Sequence, residues 1–140
     1  MSIWKQTATI ESMNEHSANT MMQHLGVEFT EVGDDYVCAK MPVNEKTRQP
    51  LGIMHGGASC VLAETIGSSA ANYCVDFTKF YCVGLSINTN HIRSIREGFV
   101  FAKATPVHIG RSTQVWNIDI TNAQQKLVST TRLTMAVLSR

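Results

Sequence analysis

One segment in the middle of the chain constrains the fold more than any other. Residues 58–75, ASCVLAETIGSSAANYCV, contain no proline and are rich in Ala, Leu and Ile. This composition predicts one long helix of roughly 27 Å at 1.5 Å per residue. Small residues recur at every fourth position of this helix, at Ser59, Ala63, Gly67 and Ala71. The stripe indicates close packing against a sheet or another helix, because glycine otherwise costs a helix about 1 kcal/mol relative to alanine.

The segments that follow this helix have the pattern of β-strands. They cover residues 80–93, 98–107, 112–120 and 126–138. In the third of them, Trp116, Ile118 and Ile120 recur at the period of a half-buried strand. Turn sequences separate the strands, at 96–98, 108–110 and 121–123. Such short connections favour an antiparallel meander.

The first part of the chain predicts short helices and a hairpin. Asn19 is the expected N-cap of one short helix, and Gly26 is its expected end. The runs 27–32 and 36–43 flank Gly33-Asp34-Asp35 and predict a β-hairpin.

No linker or repeat divides the sequence, so residues 1–140 are predicted to form a single α+β domain. One long helix is expected to be covered by an antiparallel sheet of five to six strands. The hydrophobic fraction of 44% is ordinary for a globular protein. No apolar run reaches the roughly 18 residues that span a bilayer, and the first residues do not resemble a secretory signal. The expected location is therefore cytoplasmic, without membrane contact.

The net charge of +1 conceals an asymmetry along the chain. Residues 1–78 carry four Lys or Arg and nine Asp or Glu, whereas residues 79–140 carry eight and two. A basic half indicates either an anionic partner or an ordinary solvated surface. No aromatic RNA-binding motif accompanies the basic residues, so a nucleic-acid partner is not expected.

The densest group of functional candidates lies where the long helix begins. The first N–H groups of a helix lack an acceptor within the helix, so those at His55-Gly56-Gly57 are expected to be unpaired, and the helix dipole contributes roughly half a positive charge there. Glycine lets a ligand approach that backbone, which suits the polarisation of a carbonyl group. Glu64 is the only acidic residue of the helix and is either solvent-facing or functional. Ser68 follows four residues later on the same face.

The spacing of these candidates predicts a site shared between two chains. Gly56 and Glu64 are eight residues apart, which is about 12 Å along one straight helix. They cannot act on the same carbonyl group within one chain. If both are catalytic, Glu64 must come from a neighbouring subunit, which predicts a symmetric homodimer with composite active sites.

Other chemistries have little support in the sequence. There is no GxSxG nucleophile elbow, and Cys60 is better explained as a core cysteine than as a nucleophile. The four cysteines form no CxxC pair and the five histidines lack HExxH spacing. Reduced core cysteines and no metal site are therefore expected.

Three runs together resemble a known family. They are QPLGIMHGGASCVLAETIGS, VGLSINTNHIRSIREG and TPVHIGRSTQVW. Over essentially the whole chain the sequence resembles the hotdog-fold acyl-CoA thioesterases. The most similar branch hydrolyses aromatic acyl-CoA thioesters and includes the 1,4-dihydroxy-2-naphthoyl-CoA hydrolases of menaquinone synthesis and the proofreading thioesterase of enterobactin synthesis. The resemblance implies a long helix wrapped by a curved antiparallel sheet, in dimers that associate as a homotetramer.

The resemblance also assigns roles to five residues of the first run. Glu64 is the implied catalytic carboxylate, either as nucleophile or as general base towards water. Gly56 supplies the backbone N–H that polarises the thioester carbonyl group. His55 and Gln49 position the thioester and the attacking or leaving groups, and Ser68 orients Glu64 or its water. No metal or redox cofactor is implied, because coenzyme A is part of the substrate.

The basic half holds the implied CoA contacts. They are Gly84 and two CoA-binding runs, His91-Ile92-Arg93-Ser94 and His108-Ile109-Gly110-Arg111-Ser112-Thr113. Arg93 and Arg111 suit phosphate groups, since a guanidinium group pairs with phosphate oxygens in bidentate fashion.

Three other functions remain open at this point. The first is a proofreading thioesterase that acts on an aryl or acyl carrier protein. The second is a dehydratase on acyl-carrier substrates, which Glu64 with Gly56 fits less well than hydrolysis. The third is a non-catalytic acyl-CoA-binding protein, which would have no use for Glu64.

Overall fold

The computed structural model describes all 140 residues and contains three helices and six strands. In chain order they are α1 (Ile10–His16), α2 (Met21–Leu25), β1 (Glu28–Val32), β2 (Val37–Val43), α3 (Gly56–Tyr73), β3 (Phe80–His91), β4 (Gly98–Ile109), β5 (Thr113–Thr121) and β6 (Leu127–Ser139). One long helix and six antiparallel strands confirm the predicted α+β class.

The long helix α3 begins and ends two residues earlier than the prediction of 58–75. The cause is the His55 side chain, whose Nδ1 accepts a hydrogen bond from Gly57 N–H at 2.8 Å and caps the helix. A cap of this kind offsets the low helix propensity of glycine in the first turn. At the other end, the Asn72 side chain forms two hydrogen bonds with the backbone of Cys82, at 2.8 and 3.2 Å. These bonds tie the end of α3 to β3.

The predicted stripe of small residues lies where α3 packs on the sheet. All four of its members are buried: Ser59, Ala63, Gly67 and Ala71. A Cβ atom at Gly67 would lie 2.6 Å from Leu133 Cδ2 and 3.2 Å from Ile118 Cδ1. A larger residue at this position would therefore push the helix and the sheet apart. The residues predicted to form the buried face of β5 are fully buried: Trp116, Ile118 and Ile120.

The strand order of the sheet is β1-β2-β4-β5-β6-β3, with every neighbouring pair antiparallel. β4, β5 and β6 form the predicted meander, but the prediction is wrong for β3. This strand pairs with β6 at the edge of the sheet, while β4 pairs with β2. The β2–β4 register sets buried residues opposite each other, Ala39 against Ala102 and Met41 against Val100. Strand pairing is therefore decided by the burial of residues that are far apart in sequence, not by which strands follow each other in the chain.

The N-terminal elements differ from the prediction in one detail. Thr20, not Asn19, caps α2, because its side chain accepts a hydrogen bond from Met22 N–H at 3.2 Å. Asn19 has a φ of 62° in the left-handed region, which is incompatible with the extended backbone of an N-cap. Gly26 ends α2 as predicted, with a φ of 78°.

Two turns complete the comparison with the predicted elements. The hairpin between β1 and β2 is confirmed, and Gly33 N–H closes its turn with a hydrogen bond to Tyr36 O at 2.9 Å. The turn predicted at 108–110 instead begins at Gly110, because β4 remains paired with β5 as far as Ile109.

The edge strand β3 is unpaired on one side over its 12 residues, since it pairs only with β6. Two apolar side chains of this strand are exposed, Val83 by 41% and Leu85 by 61%. An unpaired edge presents a row of N–H and C=O groups to any strand that can add to it.

Two further findings concern the chain as a whole. No helix is long and apolar enough to cross a membrane. All four cysteines are free, and Cys74 and Cys82 are buried as predicted for core residues, whereas Cys38 and Cys60 are only partly buried. Burial raises the pKa of the Cys74 thiol to about 12 and that of Cys82 to about 11, so both stay protonated at neutral pH.

Candidate active site

The first turn of α3 contains one backbone N–H group without a partner. His55 N–H donates to Thr47 O at 2.7 Å, and Gly57 N–H donates to the His55 ring. Ala58 N–H donates to His55 O at 2.9 Å. Gly56 N–H, which lies among these bonded groups, has no acceptor. At the positive end of the helix dipole it is placed to donate to a carbonyl oxygen or an oxyanion.

The Gln49 side chain offers a second free donor. Gln49 lies in a tight turn, in which its N–H donates to Ile53 O and its carbonyl oxygen accepts from Gly52 N–H, each at 2.9 Å. Its side-chain oxygen accepts a hydrogen bond from Leu51 N–H. The side-chain nitrogen has no protein partner and remains available to donate.

Gly56 and Gln49 line one cavity of about 320 Å³ at the N-terminal end of α3. The imidazole of His91 lies over Gly56, where a Cβ atom would be 2.9 Å from His91 Nε2. The apolar part of the lining consists of Ile53, Met54, Ile92, Ile95 and Val128. Apolar walls with a few polar groups are typical of sites for small ligands.

Glu64 lies two turns further along α3, about 12 Å from Gly56, and does not line this cavity. Its side chain is exposed in the single chain and forms no hydrogen bond or ion pair. The carboxylate lies against Gly84 of β3, where any Cβ atom would overlap Oε2. The register of β3 shifts between Gly84 and Ser86, at a β-bulge. Glycine and bulge together leave room for the carboxylate, which is free to act on a ligand.

Two other predicted catalytic residues lie outside the cavity. Ser68 lines a second cavity of about 400 Å³, together with Asn72 and Tyr73, and does not contact Glu64 through a hydrogen bond. His55 lines a separate groove and caps α3 through Nδ1. Because Nδ1 accepts a hydrogen bond, the proton of the neutral ring lies on Nε2.

The first predicted CoA-binding run, residues 91–94, lines the cavity with Gly56. Arg93 is exposed, and its guanidinium group donates to Leu127 O at 2.8 Å, which leaves its other N–H groups free. The only ion pair of the structure joins Lys40 to Glu28, at 3.9 Å. No carboxylate therefore competes with a bound anion for Arg93 or Arg111.

The second predicted CoA-binding run, residues 108–113, lies far from the first in a single chain. Thr113 pairs with Ala136 of β6, whereas His91 pairs with Ser129 of the same strand. Seven residues separate these two levels of β6, which is about 23 Å at 3.3 Å per residue. The two runs are therefore at opposite ends of the sheet. Gly84 is level with the second run, because it pairs with Met135 and Thr113 pairs with the next residue of β6, and it contacts Glu64.

Comparison with known proteins identifies the family. Residues 51–129 match the model of the thioesterase superfamily. The chain belongs to the thioesterase superfamily. A Vibrio cholerae protein that is named an esterase, without a stated substrate, is 53% identical over 98% of this chain and 91% of its own length. The 1,4-dihydroxy-2-naphthoyl-CoA hydrolase of Escherichia coli is 45% identical over 97% of this chain and 99% of its own.

A solved structure gives the same result for the fold of the thioesterase. The crystal structure of a mutant thioesterase from Pseudomonas aeruginosa superimposes with a TM-score of 0.97 at 44% identity, over 99% of this chain and 100% of that one. The protein thus has the hotdog fold and is a thioester hydrolase, which confirms the implied family, fold and enzyme class. No group of three or more His, Cys, Asp or Glu side chains in this thioesterase is placed to hold a metal ion.

One polar residue of the cavity, Ser59, is not among the predicted site residues. Ser59 is 1% exposed and lines the cavity beside Gly56, and its hydroxyl has no hydrogen-bond partner. In the sequence it belongs to the packing stripe, and no local pattern separates a serine that only packs from one that also lines a cavity. Its position three residues after Gly56 was the available indication, since residues three apart share a helix face.

Proposed function

We propose that this thioesterase hydrolyses aromatic acyl-CoA thioesters to the free acid and CoA, with 1,4-dihydroxy-2-naphthoyl-CoA as its best substrate. The observation that carries the proposal is the pair of free donors, Gly56 N–H and the Gln49 amide, in one cavity with Arg93 at its rim. The apolar part of the lining suits an aromatic ring. The naphthoyl group is supported by the name of the Escherichia coli relative.

The proposed chemistry uses these donors to stabilise negative charge. The thioester carbonyl oxygen accepts hydrogen bonds from Gly56 N–H and Gln49 Nε2, which strengthen as the oxygen becomes an oxyanion. Glu64 either attacks the carbonyl carbon or removes a proton from the attacking water. In both routes a C–O bond forms, the C–S bond breaks and the CoA thiolate leaves. In the first route, water then hydrolyses the acyl anhydride and frees Glu64.

Two chains are needed to bring these groups together. Glu64 is about 12 Å from Gly56 of its own chain. Helix α3 runs antiparallel to β3, with Gly56 beside His91 and Glu64 beside Gly84. A two-fold axis that crosses the free edge of β3 between Gly84 and His91 would bring Glu64 of each chain towards Gly56 of the other.

The same axis accounts for the separation of the two CoA-binding runs. Antiparallel pairing of two β3 strands sets the start of one beside the end of the other. The run at 108–113, which is level with the start of β3, then lies at the same end as the partner's run at 91–94. Arg93 of one chain and Arg111 of the other can thus bind phosphate groups of one CoA. Association of two such dimers into a homotetramer stays a prediction.

The substrate is tested by kcat/KM for a panel of thioesters, with thiol release as the readout. The panel contains 1,4-dihydroxy-2-naphthoyl-CoA, benzoyl-CoA, a linear acyl-CoA and an aryl carrier protein. We expect the naphthoyl ester to exceed the linear ester by at least about tenfold. Similar values across the panel would contradict a specialised substrate. A preference for the carrier protein would instead assign the proofreading function.

The shared site is tested by mixing two inactive variants. Gln49→Ala removes a donor from one chain's contribution, and Glu64→Gln removes the carboxylate from the other's. When equal amounts are refolded together, about half of the dimers contain one chain of each variant. Each mixed dimer has one intact site of its two, so about a quarter of wild-type activity should return. Each variant refolded alone is the control. Absence of recovery would mean that each chain uses its own Glu64.

A further inference from the structure

Two buried hydroxyl groups of the protein have no hydrogen-bond partner, and only one of them lines the cavity. They belong to Ser59 in α3 and Ser129 in β6. Ser59 is 1% exposed and lines the cavity with Gly56, whereas Ser129 is fully buried and does not line it. An unpaired buried hydroxyl group destabilises a folded protein, so its retention beside a cavity needs a physical reason.

Ser59 also differs from two other hydroxyl groups, one in the same helix and one at the end of α1. Thr65, in the same helix, donates to Val61 O at 2.6 Å, which is the carbonyl group four residues earlier. Ser17, at the end of α1, donates in the same way to Met13 O at 3.3 Å. This is a local bond that is open to a serine or threonine within a helix. Ser59 does not form it, and its hydroxyl has no other partner in the protein.

We propose that the Ser59 hydroxyl is a specificity-determining contact that hydrogen-bonds a polar substituent next to the thioester carbonyl group. The acyl groups it favours are aryl groups with an ortho hydroxyl. This inference rests on the proposed function, in which Gly56 N–H holds the carbonyl oxygen. A 1,4-dihydroxy-2-naphthoyl group has such a hydroxyl, at the ring carbon beside the acyl carbon.

The helix geometry sets the distance at which this contact works. Gly56 and Ser59 are three residues apart, so their side-chain positions lie about 5–6 Å from each other on one face of α3. A substituent on the ring carbon beside the carbonyl group therefore falls within reach of Ser59. A serine hydroxyl both donates and accepts, so it can pair with a phenol in either direction. A ring without that hydroxyl offers Ser59 no partner.

The test compares 2-hydroxybenzoyl-CoA with benzoyl-CoA as substrates of the wild type, Ser59→Ala and Ser129→Ala. We expect the wild type to favour the hydroxylated ester by about tenfold in kcat/KM. In Ser59→Ala, kcat/KM should fall about tenfold more for 2-hydroxybenzoyl-CoA than for benzoyl-CoA. Ser129→Ala removes the other unpaired hydroxyl and should keep the wild-type ratio.

Two results would overturn the role of Ser59. One is an unchanged ratio of the two kcat/KM values in Ser59→Ala, which includes equal losses on both esters. The other is the same change of this ratio in Ser129→Ala. Hydrolysis of benzoyl-CoA by the wild type tests the proposed function separately. If no ester is hydrolysed, that function fails, and calorimetric Kd values for the two esters with wild type and Ser59→Ala then decide the contact by the same ratio.

Discussion

The two ends of α3 differ in whether their polar groups have hydrogen-bond partners. At the C-terminal end, the Asn72 side chain bonds both the N–H and the C=O of Cys82, and Cys74 N–H donates to Ala71 O at 3.1 Å. At the N-terminal end, Gly56 N–H and the Ser59 hydroxyl have no partner. Both ends belong to one helix and pack on one sheet. The contrast indicates that one end anchors the helix, while the other leaves two polar groups without a partner in the chain.

This difference predicts that substitutions in the two halves of α3 affect different measured properties. Substitutions near the first turn should reduce turnover and leave the melting temperature nearly unchanged. Substitutions where α3 is anchored should lower the melting temperature and leave kcat nearly unchanged.

The largest effect is expected for Glu64→Gln, between the two ends. An amide neither attacks a thioester nor removes a proton from water, so kcat should fall about 10³-fold. The side chain forms no hydrogen bond in the single chain, so the variant should fold and bind acyl-CoA. Thiol release and melting temperature are the measurements, and Glu15→Gln, an exposed acid of α1, is the matched control. A kcat near that of the wild type would sink the assignment of Glu64.

A pair of glycine variants compares the two regions directly. In Gly56→Ala the new methyl group lies 2.9 Å from His91 Nε2 and obstructs the free N–H group, so kcat should fall about 10²-fold. In Gly67→Ala the methyl group lies 2.6 Å from Leu133 Cδ2 inside the core, which should destabilise the protein by about 1–3 kcal/mol.

The two glycine variants are read out by urea unfolding and by kcat at 25 °C. We expect the loss of turnover in Gly56→Ala alone and the loss of stability mainly in Gly67→Ala. Comparable losses of kcat in both variants would remove the distinction between the ends of α3.

The smallest effect is expected for Arg93→Ala, at the rim of the cavity. Loss of a guanidinium group that binds phosphate should raise KM for CoA esters about tenfold and change kcat little. The difference should shrink at high salt, because ions screen exposed charges. Lys126→Ala, another exposed cation of the basic half, is the control. An unchanged KM would exclude Arg93 from CoA binding.

Local patterns predicted the parts of the fold that depend on neighbouring residues. The long helix, its small-residue stripe and the hairpin follow from composition and period, and all three are present. The N-cap of α2 is a feature that such local patterns did not predict correctly. Asn19 and Thr20 are both good N-caps by residue type, and only their backbone angles separate them.

The candidate site was predictable as a set of residues but not as an arrangement. Gly56, Gln49 and the run at 91–94 line one cavity, which spacing along the chain could not show. The distance of about 23 Å between the two predicted CoA-binding runs follows from strand register, which is set by burial of one face of the sheet. The Ser59 hydroxyl is free because no tertiary partner lies near it, and a local sequence pattern does not predict which tertiary contacts are missing.

The unpaired edge of β3 has a consequence for how activity depends on protein abundance. A chain that leaves 12 residues of strand edge open holds half of each proposed site and is prone to pair with the wrong strand. Where dimers dissociate, activity should scale with the square of the enzyme concentration, so specific activity falls on dilution. Doubling synthesis in that range would roughly quadruple flux. Expression level then controls the enzyme more steeply than it controls a monomeric one.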